Sequence, residues 1–330
     1  MGLIAEEITI KTDQRLEQAR QWLLDLGVDI QSDFLDIAGD ASFRRYFRLR
    51  ADGVSRVLMD APPPEDVNPF IDIARRLRLA GLHAPEILHA DWHHGFLLLE
   101  DLGDTLFRGI LDKESVDNVF PDLFQILKIF ALKVDIKELP EFSIRKLRRD
   151  LDLFPMWYLD HHRRGMPRDQ FDLTWDEFCN TIIHSALEQP QCFVHRDFHS
   201  CNLLKTGPHD IGIIDFQDGV LGPISYDLIS LIWDRYIAWP RNRIETWIEQ
   251  FRLELELDIE PARWLRYCDL MGLQRNIKIV GIFARLHYRD GKQGYLEMIP
   301  RFYDYVTDTL RRYPEFKQMS AIMEDSQCVP

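Results

Sequence analysis

The chain lacks the features that would tie it to nucleic acid, to a membrane or to an oxidising compartment. Its 40 Lys and Arg are outnumbered by 54 Asp and Glu, for a formal net charge of −14. Such a surface does not neutralise a phosphate backbone, which excludes nucleic acid as the partner. No apolar run approaches the ~20 residues a bilayer crossing needs. Residues 1–11 lack a basic start followed by an apolar stretch, so no secretory leader is expected. The five cysteines (Cys179, Cys192, Cys201, Cys268, Cys328) are scattered without CxxC spacing. They read as free thiols of a cytoplasmic monomer. His93-His94 and His161-His162 have no Cys or His partner at ligand spacing and read as solvated loop residues, not metal ligands. There is no internal repeat and no low-complexity stretch. Lysine is missing altogether between positions 12 and 112.

What is present suffices for two cores: 330 residues, 46% hydrophobic and 28% charged. Apolar spacing predicts a helix over 13–26, stopped by Gly27. Strands are expected over 33–37, 45–49 and 54–59, joined by a small-residue turn at 38–42 and by Asp52-Gly53. Pro62-Pro63-Pro64 breaks the run. A helix over 68–80, capped at Asn68-Pro69, precedes an antiparallel pair at 86–90 and 96–99, left through Glu100-Asp101-Leu102-Gly103. Beyond it, 116–132 and 171–187 are helical, 192–194 is a short strand, and residues after 314 read as a loosely attached end. The expectation is an α+β fold of two lobes, a small antiparallel-sheet lobe over 1–103 and a larger, mainly helical lobe over 104–330.

The chemistry is concentrated in His195-Arg196-Asp197-Phe198-His199-Ser200-Cys201-Asn202, followed by Ile213-Ile214-Asp215-Phe216. Phosphoryl transfer asks little covalent work of a protein. It needs a carboxylate at the acceptor hydroxyl and oxygen ligands for the magnesium that clamps the triphosphate. An HRD triplet with Asn five residues after its Asp, then an apolar strand ending in Asp, supplies these groups. Asp197 is the candidate for the carboxylate, and Asn202 and Asp215 for the ligands, with ATP and Mg2+ as cofactors. Asp227, after Gly222-Pro223-Ile224-Ser225-Tyr226, reads either as a helix N-cap or as a brace for the catalytic-loop backbone.

These motifs resemble the aminoglycoside phosphotransferase/choline kinase family, which reuses the protein-kinase fold for small molecules. Further segments resemble its bacterial branch of anomeric N-acetylmuramate/N-acetylglucosamine kinases, which act in cell-wall recycling: Ala41-Ser42-Phe43-Arg44-Arg45-Tyr46-Phe47-Arg48, Met59-Asp60-Ala61-Pro62-Pro63, Asp215-Phe216-Gln217-Asp218 and Gln274-Arg275-Asn276-Ile277-Lys278. The similarity runs from about residue 13 to residue 310. It implies Asp197 as base or hydroxyl orienter, Asn202 and Asp215 on magnesium, and His195 and Asp227 as structural supports. It also implies that backbone from Glu100 to Leu102 reads adenine and that the turn Asp40-Ala41-Ser42 covers the phosphates. Two departures stand out. Cys201 occupies a position where relatives tend to carry a basic residue, and reads as a small filler or a redox switch. The strand lysine that grips nucleotide phosphates is absent, so Arg44 or Arg45 is the expected replacement.

The acceptor is expected to be a small sugar. Trp157 offers an aromatic face, unless it is simply core, and Gln274, Arg275, Lys278 and Arg285 offer polar contacts at helical intervals. Arg275, Lys278 and Arg285 could bind an anionic group such as the muramate lactyl carboxylate, whereas a polycationic aminoglycoside would want acidic groups. The competing readings are a phosphotransferase for an aminoglycoside or another small alcohol, and a silent nucleotide-binding module.

Overall fold

Asp13 caps the first helix, its Oδ1 accepting from the backbone N–H of Arg15 (3.1 Å) and Leu16 (3.3 Å). A computed structural model describes residues 13–37, 43–163 and 168–325. In chain order these form α1 (Gln14–Asp25), β1 (Leu35–Ile37), β2 (Arg45–Ala51), β3 (Val54–Asp60), α2 (Asn68–Leu79), β4 (Ile87–Asp91), β5 (Phe96–Glu100), α3 (Val116–Leu132) and α4 (Ile144–Leu153). A π-helical segment, Phe154–His162, continues α4. There follow α5 (Arg168–Leu187), β6 (Gln191–Val194), β7 (Leu203–Lys205), β8 (Ile211–Ile213), β9 (Val220–Pro223), α6 (Tyr226–Ile232), α7 (Arg241–Glu254), α8 (Pro261–Tyr288), α9 (Ile299–Leu310) and α10 (Lys317–Glu324).

Contacts divide the chain into two units: 1–78, 83–104 and 204–217 in the first, 79–82, 105–203 and 218–330 in the second. The segment 204–217 thus groups with the sheet although it lies far along the sequence. The reason is visible at His83, whose carbonyl accepts from Ile213 N–H at 2.9 Å.

In the first unit five antiparallel strands run in the order β1-β2-β3-β5-β4. Asp52 and Gly53, at φ 51° and 81°, make the left-handed turn that joins β2 to β3. Phe47, Leu49, Leu58, Phe96 and Leu98 pack against Ala19 and Leu23 of α1. Gly95 closes the β4–β5 hairpin, and a Cβ there would stand 2.2 Å from the carbonyl oxygen of Ala61.

The second unit is built around α8, 28 residues long and buried from most directions. Two glycines let its backbone come close to neighbours. A Cβ at Gly272 would enter the Trp233 ring, and one at Gly281 would stand 2.4 Å from the carbonyl carbon of Leu153. The described residues beyond 314, up to 325, are not loosely attached. Phe316, Met319 and Met323 recur at helical spacing and are buried, and Tyr303 Oη donates to the Met323 carbonyl at 2.6 Å. His161 and His162 lie in the π-helical segment rather than in a loop.

Candidate active site

Strand β6 ends at Val194 and delivers the loop that carries His195 to Asn202 inside the second unit. Asp227 fixes the loop's entry: its two carboxylate oxygens accept from the backbone N–H of His195 (2.5 Å) and Arg196 (3.0 Å). Ser225, not Asp227, stands at the N-cap of α6. Burial pushes the Asp227 carboxyl up to about 7, against the pull of those two N–H groups. Arg196 turns the chain with a φ of 77°, a left-handed conformation that non-glycine residues hold only under constraint. His195 is buried, and its Nδ1 accepts from the Asp197 N–H at 3.3 Å. Phe198 anchors the loop from below, fully buried and edge-on to Phe130 at 5.3 Å. Asp234 is a further support that sequence reasoning missed, accepting from Ser200 N–H at 3.0 Å.

The loop holds Asp197 ionised. Burial by itself raises a carboxyl pKa, but the charges of Lys278, Arg196 and Arg275, with the neighbouring His199 imidazole, outweigh it and hold Asp197 down to about 2. Asn202 is tied to the same residue, its Nδ2 donating to the Asp197 carbonyl at 2.9 Å. With the amide nitrogen so committed, its oxygen is the end suited to a hard cation. Cys201 is half-buried, and burial pushes its thiol up, which suits a filler rather than a reactive thiolate.

Helix α8 presents polar residues inward. Arg275 donates to the Trp233 carbonyl at 3.1 Å, and Lys278 Nζ donates to Tyr226 Oη at 3.2 Å. Gln274 is fully buried with both amide atoms unbonded. Arg285 is half-buried; burial and Arg289 lower its pKa. Trp157 stacks on His161 at 4.8 Å within the π-helical segment. Asp150 of α4, absent from the sequence-derived candidates, lies 3.7 Å from Arg196 and 3.9 Å from Lys278.

In the first unit, β8 carries the chain to Asp215, a non-glycine residue at φ 62°. Its Oδ1 accepts from Gln217 Nε2 at 2.8 Å, and buried Phe216 packs tilted against Phe70 with ring centroids 4.8 Å apart. Arg44 pairs with Glu65 at 2.8 Å. Burial pushes the Tyr46 hydroxyl up to about 12, with Arg44 opposing and Asp215 and Glu65 adding to the push. One phenol thus senses Arg44, Glu65 and Asp215 together. Arg45 is committed elsewhere: its guanidinium binds the carboxylates of Asp60 and Asp13. Glu100 spends its side chain on His83 (3.1 Å) and on the Glu86 N–H (3.1 Å). Leu102 is buried against Gly212. The turn Asp40-Ala41-Ser42 lies outside the described residues. Among the described residues no His/Cys/Asp/Glu group is arranged to hold a metal by itself, and no helix is long and apolar enough to cross a membrane.

Residues 33–265 match the phosphotransferase enzyme family. A protein of Pseudomonas aeruginosa named N-acetylmuramate/N-acetylglucosamine kinase is 39% identical over 299 residues, covering 88% of each chain. One of the same name from Pseudomonas putida is 37% identical over 332 residues, covering 96% of this chain and 97% of its own. Among solved structures, a choline/ethanolamine kinase family protein from Mesorhizobium loti superposes with a TM-score of 0.63 at 16% identity, covering 93% of this chain and 98% of its own. A thermostable mutant of aminoglycoside phosphotransferase APH(4)-Ia, in ternary complex with ADP and hygromycin B, gives 0.61 at 15% identity, over 87% of this chain and 97% of its own. These likenesses establish the two-lobed kinase-like α+β fold. By the extent of the family match and the identity to these relatives, the chain belongs to the phosphotransferase enzyme family and groups there with the bacterial proteins named N-acetylmuramate/N-acetylglucosamine kinases.

Proposed function

We propose that the protein is an ATP- and Mg2+-dependent kinase that phosphorylates N-acetylmuramate or N-acetylglucosamine at the anomeric hydroxyl, as a cytoplasmic step of peptidoglycan recycling. The observation that carries the reading is the ionised Asp197 set among Lys278 and Arg275. A carboxylate held at about pKa 2 is a poor general base at neutral pH, because proton transfer is most efficient when the pKa lies near the working pH. It can still orient a hydroxyl by accepting its hydrogen bond. An anomeric hydroxyl, more acidic than an ordinary alcohol, suits an orienter of this kind. The positive charges on α8 favour a neutral or anionic acceptor over a polycation, which supports a sugar over an aminoglycoside. They also fit a muramate carboxylate, for which Arg275, Lys278 and Arg285 are the proposed contacts, with Trp157 and Gln274 for the ring.

Asn202 and Asp215 are the proposed magnesium ligands, both offering the oxygen donors that this hard cation prefers. Magnesium, when bound, would neutralise charge on the transferring phosphoryl group. Backbone from Glu100 to Leu102 is proposed for adenine, and the 40–42 turn with Arg44 or Arg45 for the phosphates. The test is direct. Purified protein is incubated with MgATP and each amino sugar and followed by phosphorus NMR, with an anomeric sugar phosphate as the expected product. Phosphate on any other hydroxyl would overturn the anomeric assignment, and absence of turnover on all amino sugars would overturn the sugar class.

A further inference from the structure

Asp150 is buried, with 5% of its surface exposed, three residues before the end of α4. Its nearest cations, Arg196 Nη2 at 3.7 Å and Lys278 Nζ at 3.9 Å, are close enough to attract the carboxylate. They are too far to donate a hydrogen bond to it. Its Oδ2 is accordingly a buried acceptor with no donor. A buried polar atom in that state is destabilising unless a ligand or an ordered water supplies the missing bond.

Other unmet groups occupy the facing helix. Gln274 is fully buried with neither its amide oxygen nor its nitrogen bonded, and Arg285 Nε is buried without an acceptor. Gln274, Lys278, Gly281 and Arg285 recur at helical intervals and so share one face of α8. Gly281 on that face allows the end of α4 to approach within contact distance of the α8 backbone. A carboxylate oxygen lacking a donor thus lies near Lys278, on the α8 face that also carries an amide lacking both partners, and beside two charges that hold Asp197 ionised.

We propose that Asp150 is a specificity-determining residue that accepts a hydrogen bond from a neutral donor of the acceptor sugar, a ring hydroxyl or the acetamido N–H, with Gln274 supplying a complementary amide contact. This rests on the sugar-kinase reading above. The donor is neutral because Arg196 and Lys278 already balance the carboxylate, and an ammonium would meet both cations. The free amine of glucosamine is therefore selected against, and the N-acetylated sugar is favoured.

The test is a cycle of enzyme variants against acceptor analogues, with full kinetics for each. Wild-type protein, Asp150→Ala and the shape-conserving Asp150→Asn are assayed with N-acetylglucosamine, its 3-, 4- and 6-deoxy forms, glucosamine, glucose and 2-deoxyglucose. Losing one charge-assisted hydrogen bond should raise KM for N-acetylglucosamine by about tenfold or more in Asp150→Ala, with the KM for ATP unchanged. For the one analogue that lacks the donor, wild type and variant should have equal KM, and this identifies the group. Loss of the 2-deoxy penalty points to the acetamido group and loss of a 3-, 4- or 6-deoxy penalty to that hydroxyl. A purely structural role would instead lower kcat and raise KM alike for every analogue in both variants. That result, or wild-type KM in both, overturns the assignment. Failure of the wild type to turn over any sugar is a separate outcome, which removes the sugar reading and this inference with it.

Discussion

In the first unit charged side chains meet each other at hydrogen-bond distance. Asp60, fully buried, receives Arg15 Nε at 2.8 Å and the guanidinium of Arg45, and Arg48 bridges Asp101 (2.7 Å) and Asp104 (2.7 Å). In the second unit Asp150 has cations at 3.7 and 3.9 Å and a donorless oxygen, while Gln274 is buried with no bond at all. The first arrangement is self-sufficient: each carboxylate is matched within the protein, and its contribution is to shape. The second is incomplete, since such groups are stabilised only by something the chain does not contain. A buried charge pair is therefore poor evidence of a site, whereas buried polar atoms beside a reactive carboxylate that lack partners are good evidence of one.

The largest expected effect tests the incomplete side at its centre. On the proposed reading, Asp197→Asn removes the charge that orients the acceptor hydroxyl but leaves the loop's main-chain bonds in place. Turnover should fall by roughly 10²-fold or more, the scale of losing a group that positions the reacting hydroxyl, while nucleotide binding by calorimetry stays near wild type. Parallel loss of ATP affinity would mean that Asp197 is a structural member of the loop.

Lys278 offers a sharper probe, through pH. In the wild type Asp197, at about pKa 2, stays ionised across the working range and gives no acid limb to kcat/KM. Lys278 is the largest of the charges that hold it there. Lys278→Met should raise the Asp197 pKa, so that a loss of activity on the acid side appears at higher pH than in wild type, and Lys278→Arg should restore the wild-type profile. Unchanged profiles in both variants would show that Lys278 does not act on Asp197.

How far the sequence revealed these two regions follows from their chemistry. Asp197, Asn202 and Asp215 stood out in the sequence because the proposed reaction calls for those residue types at that spacing along one loop and strand. The strands of the first unit were legible from alternation and from Asp52-Gly53, and differ from expectation by a residue or two at their ends. Asp150 was not legible. It stands in the run Arg148-Arg149-Asp150-Leu151-Asp152, which reads as a solvated helix face, and its burial comes with the packing of α4 on α8, which local sequence does not show. The π-helical segment gave no signal of its own, since its residues fit an ordinary helix start. The roles of Arg44 and Arg45 could not be separated either. Alternation puts adjacent residues on opposite faces, but the carboxylates they meet, Glu65 and Asp13, lie far away in sequence.

That last pair gives an internal contrast. Arg45→Ala leaves buried Asp60 with Arg15 alone, and removing one partner from a buried pair should cost ~1–3 kcal/mol, read as a lower thermal midpoint. Arg44→Ala, at the residue sensed by Tyr46 together with Asp215, should weaken binding of an ATP analogue by about tenfold with little change in the midpoint. If Arg45→Ala weakens nucleotide binding more than Arg44→Ala does, the self-sufficient reading of the Arg45 cluster is wrong.

The smallest effect lies at His83, bracketed by Asp210 at 2.7 Å and Glu100 at 3.1 Å. Burial lowers its pKa, but the two carboxylates outweigh that and raise it above the ordinary value of about 6.5. A folded-state pKa above the unfolded one means that the folded protein holds the proton more tightly. The stabilisation is therefore fully present below about pH 6.5 and is lost as pH rises through the raised folded value. The imidazole is partly exposed, so solvent screens the pairs and the gain is small. Thermal midpoints of wild type and His83→Gln, measured from roughly pH 5.5 to 8.5, should differ most at the acid end and converge at the alkaline end. A gap of constant size across that range would show that His83 bonds its two carboxylates as a neutral ring.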